Sequence, residues 1–424
     1  YLYYAANMAD DDLYAAGTKR NDRLWEGDVF ELFFRPHDDR PEYYEFQKIK
    51  KLADKSIAQL SDEQLHATLD DEANSVAVVQ PGVITSRLQR EAESRGLFYP
   101  PDPQSWDECT LGGNIATGAG GPRCLKYGTT RDYVLGLEVV LADGRVMRTG
   151  GKMLKIQTGY DLTQLFTGSE GTLGIITEAT LRLMPLTRQR GTLMAIFGKV
   201  EDAAEVVTAI LRAVIVPLAL EMMDNVCIRA IEKGLTFGLP LHAEAVLLID
   251  QDGNDPGPIE SDLARIEALC LQGGAIEVRR ASTPGEADRL WDARRAVSPS
   301  MLLLRPTKLS GDVSVPRSRI PAMCKRVTEI ARQHDLQIAV WGHIGDGNLH
   351  PNILCDEGDE EEMQRAYAAS HDLARAAVSL GGALSGEHGI GLLKRDLLPE
   401  SIDAPSLDVM RRIKTALDPH AIMN

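Results

Sequence analysis

No stretch of about 18 uncharged apolar residues occurs in the chain, so a membrane-spanning helix is not expected. Basic residues are in deficit: 46 Lys and Arg stand against 62 Asp and Glu, for a formal charge of −16. A net basic face for nucleic acid or anionic lipid is therefore not expected either. Cysteine is scarce. Cys109, Cys124, Cys227, Cys270, Cys324 and Cys355 show no paired metal-ligand spacing, no iron–sulfur motif and no disulfide-scaffold density, which fits reduced thiols. Tyr1 to Asp11 lack the basic start and apolar stretch of a signal peptide. The expected location is the cytoplasm, or the periphery of the inner membrane. Internal repeats and low-complexity tracts are absent as well.

What is present is enough chain, 424 residues, for two or more domains. Residues 1–47 are rich in Tyr and Asp with short apolar alternations, and 48–74 read as a charged, helical linker. At Ser75 the style changes. Val76 to Val79 form an apolar strand ended by Pro81-Gly82, and the next stretch is a helix that Thr85 caps and Gly96 ends. Val134 to Leu141 and Arg145 to Thr149 flank Asp143-Gly144, a strong hairpin signal. After Pro185, strands near 191–198, 244–250 and 309–315 alternate with helices over Glu201–Ala213 and Pro258–Gln272, which marks a second domain from 186 onward. Two more strands are predicted around His343 and Leu349, then helices over Glu360–Leu380 and Leu407–Ala416, the latter capped by Ser406.

Two segments carry chemistry. Between Thr110 and Gly121 lie Gly112, Gly113, Gly118, Gly120 and Gly121, so backbone amides can approach an anionic ligand; a loop of tight turns is the plainer alternative. The spacing is not G-x-G-x-x-G, which disfavours an ordinary Rossmann phosphate turn. Farther on, Trp341-Gly-His-Ile-Gly-Asp-Gly-Asn-Leu-His350 sets two imidazoles on either side of a tight turn. Ser385-Gly-Glu-His-Gly389 adds a carboxylate and a third imidazole in a glycine-bounded loop. Three histidines and a glutamate in such turns make poor core residues, because they are costly to bury unpaired. A His, His, Glu metal set is available with His388 left over, and that set suits zinc first, with iron or manganese open.

Pro101-Asp-Pro103, Thr110-Leu-Gly-Gly-Asn114, Gly120-Gly-Pro122, Lys126-Tyr-Gly128 and Gly168-Ser-Glu-Gly-Thr-Leu-Gly174 resemble, in order and spacing, the FAD-linked oxidase family. The likeness is to its glycolate oxidase, D-lactate dehydrogenase and D-2-hydroxyglutarate dehydrogenase group, within the vanillyl-alcohol-oxidase class of flavoproteins. The two histidine segments resemble the same group. The resemblance runs from Ser75 to Asn424. It implies an α+β architecture: an FAD-binding domain over 75–185 and an α+β substrate domain over 186–424, with antiparallel sheet and C-terminal helices.

It further implies that FAD is lined by Pro101, Asp102, Thr110, Gly112, Gly113, Asn114, Thr117, Gly120, Gly121, Tyr127, Gly128, Glu170, Ile175, Ile176 and Asn424. His343, His350 and Glu387 would hold a divalent metal, and Asn352 would contact substrate. His388 would be the general base, and Arg294, in Leu290-Trp-Asp-Ala-Arg294, would pair with the substrate carboxylate, with Lys308 able to assist. The reaction implied is oxidation of a D-2-hydroxy acid to the 2-oxo acid, with hydride passing to flavin N5 and a partner subunit, quinone or cytochrome taking the electrons. Family members also carry an Arg-Gly-Gly-Gly-Thr-type loop upstream, and residues 1–74 contain nothing like it. Their Tyr3-Tyr-Ala5, Leu24-Trp-Glu-Gly-Asp-Val-Phe-Glu31 and Tyr43-Tyr-Glu-Phe46 instead resemble part of a family-nine carbohydrate-binding module. Two alternatives therefore stand beside the enzyme reading: a remnant that no longer holds FAD, and a sugar-binding protein.

Overall fold

The structure, a computed structural model, describes residues 74–423. The sugar-module-like fragment, nearly all of the linker and Asn424 lie outside the described residues.

The first unit carries strands β1 (Val76–Val79), β2 (Leu97–Phe98), β3 (Val134–Val140), β4 (Val146–Gly150), β5 (Ile175–Arg182) and β6 (Met184–Pro185). Four of them form an antiparallel sheet in the order β1-β5-β3-β4, while β2 pairs with β6. Asp143-Gly144 makes the expected turn between β3 and β4, with Gly144 at φ +82°. The helix Thr85–Ser94 forms, but its cap differs from expectation. Thr85 lies inside the helix, and its hydroxyl bonds Cys109 O and accepts from Asn114 Nδ2. Leu88, Ala92, Tyr99, Leu111, Ile115 and Tyr133 close a core against Ala77, Val79, Leu137 and Leu181 of the sheet.

The second unit carries β7 (Gln189–Phe197), β8 (Ala219–Asp224), β9 (Ala245–Gly253), β10 (Ala275–Arg280), β11 (Thr307–Leu309), β12 (Val313–Ser314), β13 (Gln337–Gly342) and β14 (Asn348–Cys355). They build one antiparallel sheet in the order β10-β7-β9-β8-β13-β14-β11, with β12 beside β14. The strand expected over 309–315 is thus two short strands, interrupted at Gly311, where a Cβ would stand 2.1 Å from Pro351 O. The last helix runs Ala404–Leu417; its cap is Asp403, which accepts from the Ser406 N–H, rather than Ser406 itself.

Strand alternation gives this sheet two unlike faces. Leu220, Met222, Leu247, Ile249, Leu349 and Ile353 face a layer of helices that includes Val200–Arg212, Pro256–Gln272, Ile320–His334 and Glu360–Ser379. The intervening residues, Glu221, Asp250, Asp252, His350 and Asn352, belong to the opposite face. That face looks toward the first unit: Lys126 and Tyr127 both donate to the Asp252 carboxylate.

Candidate active site

The hairpin β13–β14 sets Trp341 opposite His350 and lets the turn carry His343 back over the strand. Two glycines make the turn possible. Gly347 sits at φ +94°, and a Cβ there would stand 2.1 Å from Val315 O; at Gly342 it would stand 2.5 Å from Asn348 O. The His343 and His350 rings consequently meet edge to face at 5.1 Å. The period of two puts Asn352 on the face of His350, where its Nδ2 donates to His350 O and its buried Oδ1 finds no partner among the described residues.

The loop Ser385–His388 is held by Asp312, which is 1% exposed. One oxygen of Asp312 accepts from the amides of Gly386, Glu387 and His388, at 2.9, 3.1 and 2.9 Å, and from the Ser385 hydroxyl; the other accepts from Asn348 Nδ2 at 2.6 Å. Burial would raise this carboxyl, but His388, Lys394 and His350 overcome it and hold the pKa far below the usual range. Glu170 braces the same loop from the first unit, accepting from the amides of Ile390 and Gly391.

The two segments converge. His343 Nε2 and His350 Nε2 lie 3.2 and 3.3 Å from one oxygen, Glu387 Oε1. Ligands about 2.0 Å from a tetrahedral zinc are about 3.3 Å apart; both nitrogens stand at that distance from Glu387 Oε1, and all three atoms lie within 4.8 Å of one another. Charge agrees with geometry. Burial alone would lower the His343 imidazole, yet Glu221 and Glu387 outweigh it and push its pKa well up, while His343 and His350 hold buried Glu387 well down. Two carboxylates about one imidazole favour positive charge at this point. The residues fit a divalent metal.

His388 stacks on His350, rings 5.0 Å apart and 10° from parallel, and burial lowers its pKa, which favours neutral imidazole. Gly120 abuts this cluster; a Cβ there would stand 2.6 Å from Glu387 Oε2. Beside His343 opens a cavity of ≈ 160 Å³ whose walls include Asp102, Arg123, Trp291, Arg294 and Arg295. Burial lifts Asp102 to about 6 despite the Arg123 guanidinium beside it.

Arg294 is buried: it is 2% exposed and already grips Glu221 Oε2, through Nε at 2.9 Å and Nη2 at 2.6 Å. Part of the glycine-rich segment is a helix, Leu111–Thr117, capped by Thr110 Oγ1 on the Gly113 amide. Its first amides are occupied within the protein, Leu111 N by Val83 O and Gly112 N by Pro81 O. Thr117 bonds back to Gly113 O, and Pro101 O accepts from Gln89. Gly112 is needed against Pro81, and Gly128, at φ +84°, against Asp132. The Tyr127 hydroxyl donates to Asp252, and the Glu170 carboxylate accepts from the 390–391 amides. Ile175 and Ile176 are half-buried opposite Val140 and Val139. The Gly120 and Gly121 amides have no partner among the described residues, and neither does Arg123 Nη1, which leaves donors open to an anionic cofactor.

Two residues escaped the sequence reading. Glu221, wholly buried, accepts from His343 Nδ1 at 2.8 Å, and Asp312 clamps the 385–388 loop. The one legible signal was a lone acid in an apolar strand, Ala219-Leu-Glu-Met-Met.

The fold has solved counterparts. p-Cresol methylhydroxylase with substrate bound superimposes with a TM-score of 0.66 at 18% identity, over 83% of this chain and 75% of that one. A 4-ethylphenol oxidase from Gulosibacter chungangensis gives 0.65 at 21% identity, over 83% and 76%. The chain therefore shares the fold of these two enzymes. Residues 186–424 match the family described as FAD linked oxidases, C-terminal domain, and residues 60–150 match the FAD binding domain. The glycolate oxidase subunit GlcD of Bacillus subtilis (strain 168) is 47% identical over 84% of this chain and 75% of its own length. The D-lactate dehydrogenase of Archaeoglobus fulgidus is 39% identical over 86% and 80%. The chain belongs to the FAD-linked oxidase family.

Proposed function

We propose that the chain oxidises a small D-2-hydroxy acid, such as glycolate, D-lactate or D-2-hydroxyglutarate, to the 2-oxo acid. The observation that carries this reading is the meeting of His343, His350 and Glu387 on a triad of metal-ligand spacing, with His388 stacked beside it. In this reading residues 48–74 are a linker, 75–185 an FAD-binding part and 186–424 the substrate and metal part. FAD, when bound, supplies the acceptor for the hydride that leaves C2. A zinc, iron or manganese ion held by His343, His350 and Glu387 would polarise the hydroxyl and carboxylate oxygens.

The chain's own residues do the rest. His388, neutral and adjacent to the triad, takes the hydroxyl proton at an imidazole nitrogen. Arg294, held by Glu221 in the wall of the cavity beside His343, pairs with the substrate carboxylate. Asn352 offers the substrate its unpaired Oδ1. Gly120 brings bare backbone against Glu387, so no side chain at that position separates the flavin-binding unit from it. Electrons then pass to an acceptor; the relative from Bacillus subtilis is named as a subunit, which favours a partner protein in that role. No helix among the described residues is long and apolar enough to cross a membrane.

Anaerobic addition of D-lactate, glycolate or D-2-hydroxyglutarate should bleach the flavin absorbance of the purified protein. His388→Ala should keep the colour and lose the bleaching, by about 100-fold or more in rate. Coloured protein that no 2-hydroxy acid bleaches would overturn the reading. Colourless protein would favour the remnant that has lost FAD.

A further inference from the structure

The central strand β8 carries one charged side chain into the middle of the site. Glu221 is fully buried between Leu220 and Met222, which face the helix layer. A carboxylate in that position is costly unless both oxygens are engaged, and apolar replacements of a buried ion pair commonly leave a fold as stable. Stability alone thus gives little reason for it. Its two oxygens have different partners: Oε1 meets His343 Nδ1 at 2.8 Å, and Oε2 meets Arg294 Nε at 2.9 Å and Nη2 at 2.6 Å.

We propose that Glu221 is a positioning residue that locks the His343 imidazole as a metal ligand and fixes the Arg294 guanidinium at a set distance from it. This rests on the metal site of the proposed function. An acceptor at Nδ1 requires Nδ1–H, which leaves the Nε2 lone pair facing Glu387 Oε1, and its negative charge makes that nitrogen a stronger donor to a cation. The same carboxylate takes Arg294 side-on, so the guanidinium cannot swing away from the cavity that His343 also lines. A 2-hydroxy acid carries hydroxyl and carboxylate on adjacent carbons, so a site for this class needs metal and guanidinium held in a short, constant relation. One buried carboxylate bridging both groups supplies it.

Zn²⁺ alone, titrated into the full chain against a competing chelator, tests the inference. The parent protein should bind one ion and His343→Ala should not. Glu221→Gln, which keeps an acceptor and loses the charge, should bind Zn²⁺ about 10- to 100-fold more weakly. Because an unpaired Arg294 could prevent folding, a second pair is compared: Arg294→Met should bind Zn²⁺ no more weakly than the parent, whereas Arg294→Met with Glu221→Met should again lose 10- to 100-fold. With Co²⁺ in place of Zn²⁺, the same variants should change the visible ligand-field band, which a merely structural role would leave alone. Parent-like affinity and an unchanged band in the folded Glu221 variants would overturn the assignment. A parent protein that binds no Zn²⁺ would overturn the metal reading itself, and this inference with it.

Discussion

Lys308 shows how burial acts on one side chain. Its ammonium donates to Ser298 O at 2.9 Å and to the Ser298 hydroxyl, and lies 5.9 Å from the Trp341 ring centre. Desolvation draws its pKa down to about 8, below the roughly 10.4 of an unfolded lysine. Between those values the native state holds less proton than the unfolded one. The stability this group allows is complete above about pH 10.4 and is lost as pH falls through about 8. Lys308→Met should therefore gain in Tm relative to the parent at pH 7, and the gain should shrink toward pH 10.5. Thermal melts across that range check it, and a constant difference would contradict the burial argument. Sequence could nominate Lys308, but its degree of burial comes from β11 packing beside β14.

At the scale of an element, the loop Ser385–His388 has no helix or strand of its own and borrows its order from Asp312. Three consecutive amides, a hydroxyl and an Asn amide converge on one carboxylate. Hydrogen bonds to a charged acceptor contribute about 1.5–3 kcal/mol each. Asp312→Asn, which removes the charge and one acceptor oxygen, should cost at least about 2 kcal/mol in stability. The amides of Gly386, Glu387 and His388 should exchange hydrogen faster than those of the helix Glu360–Ser379. Unaltered exchange at those three positions would show that the loop is held by other contacts. In the sequence the loop's glycines and its histidine were legible, whereas the clamp was not, because Asp312 lies more than 70 positions away. The hairpin was easier: Gly342 and Gly347 mark its turn locally, and residue alternation alone put His350 and Asn352 on one face.

For the whole molecule, the question is how the polar face of the large sheet meets the first unit. Asp252 is a principal joint: Lys126 and Tyr127 of the first unit and Thr187 of the connecting chain all donate to it. Glu170 makes a second joint, on the 390–391 amides. Asp252→Ala would leave the Tyr127 hydroxyl and Lys126 ammonium without their acceptor at a half-buried boundary. A loss of about 1–3 kcal/mol is expected, seen as a lower Tm and earlier proteolytic cleavage near Thr187. The His343, His350 and Glu387 triad, built wholly within the second unit, should still bind Zn²⁺. If cleavage does not change, the two units are joined mainly by other contacts.

The sequence alone determined the strand alternation, the hairpin turns, most helix spans and the identity of the His, His, Glu triad, because these depend on residues near one another in the chain or on long motifs. It misjudged the caps of two helices: distant backbone carbonyls, Cys109 O and Trp106 O, take the first amides of one, and Asp403 caps the other. It gave no sign that Tyr127 and Glu170 are engaged across the boundary between units. Glu221 behind His343, Asp312 beneath His388 and Glu387 against Gly120 were decided only by tertiary structure. Each is a contact between residues far apart in sequence, and the cost of burying charge is met only once the partners have been brought together.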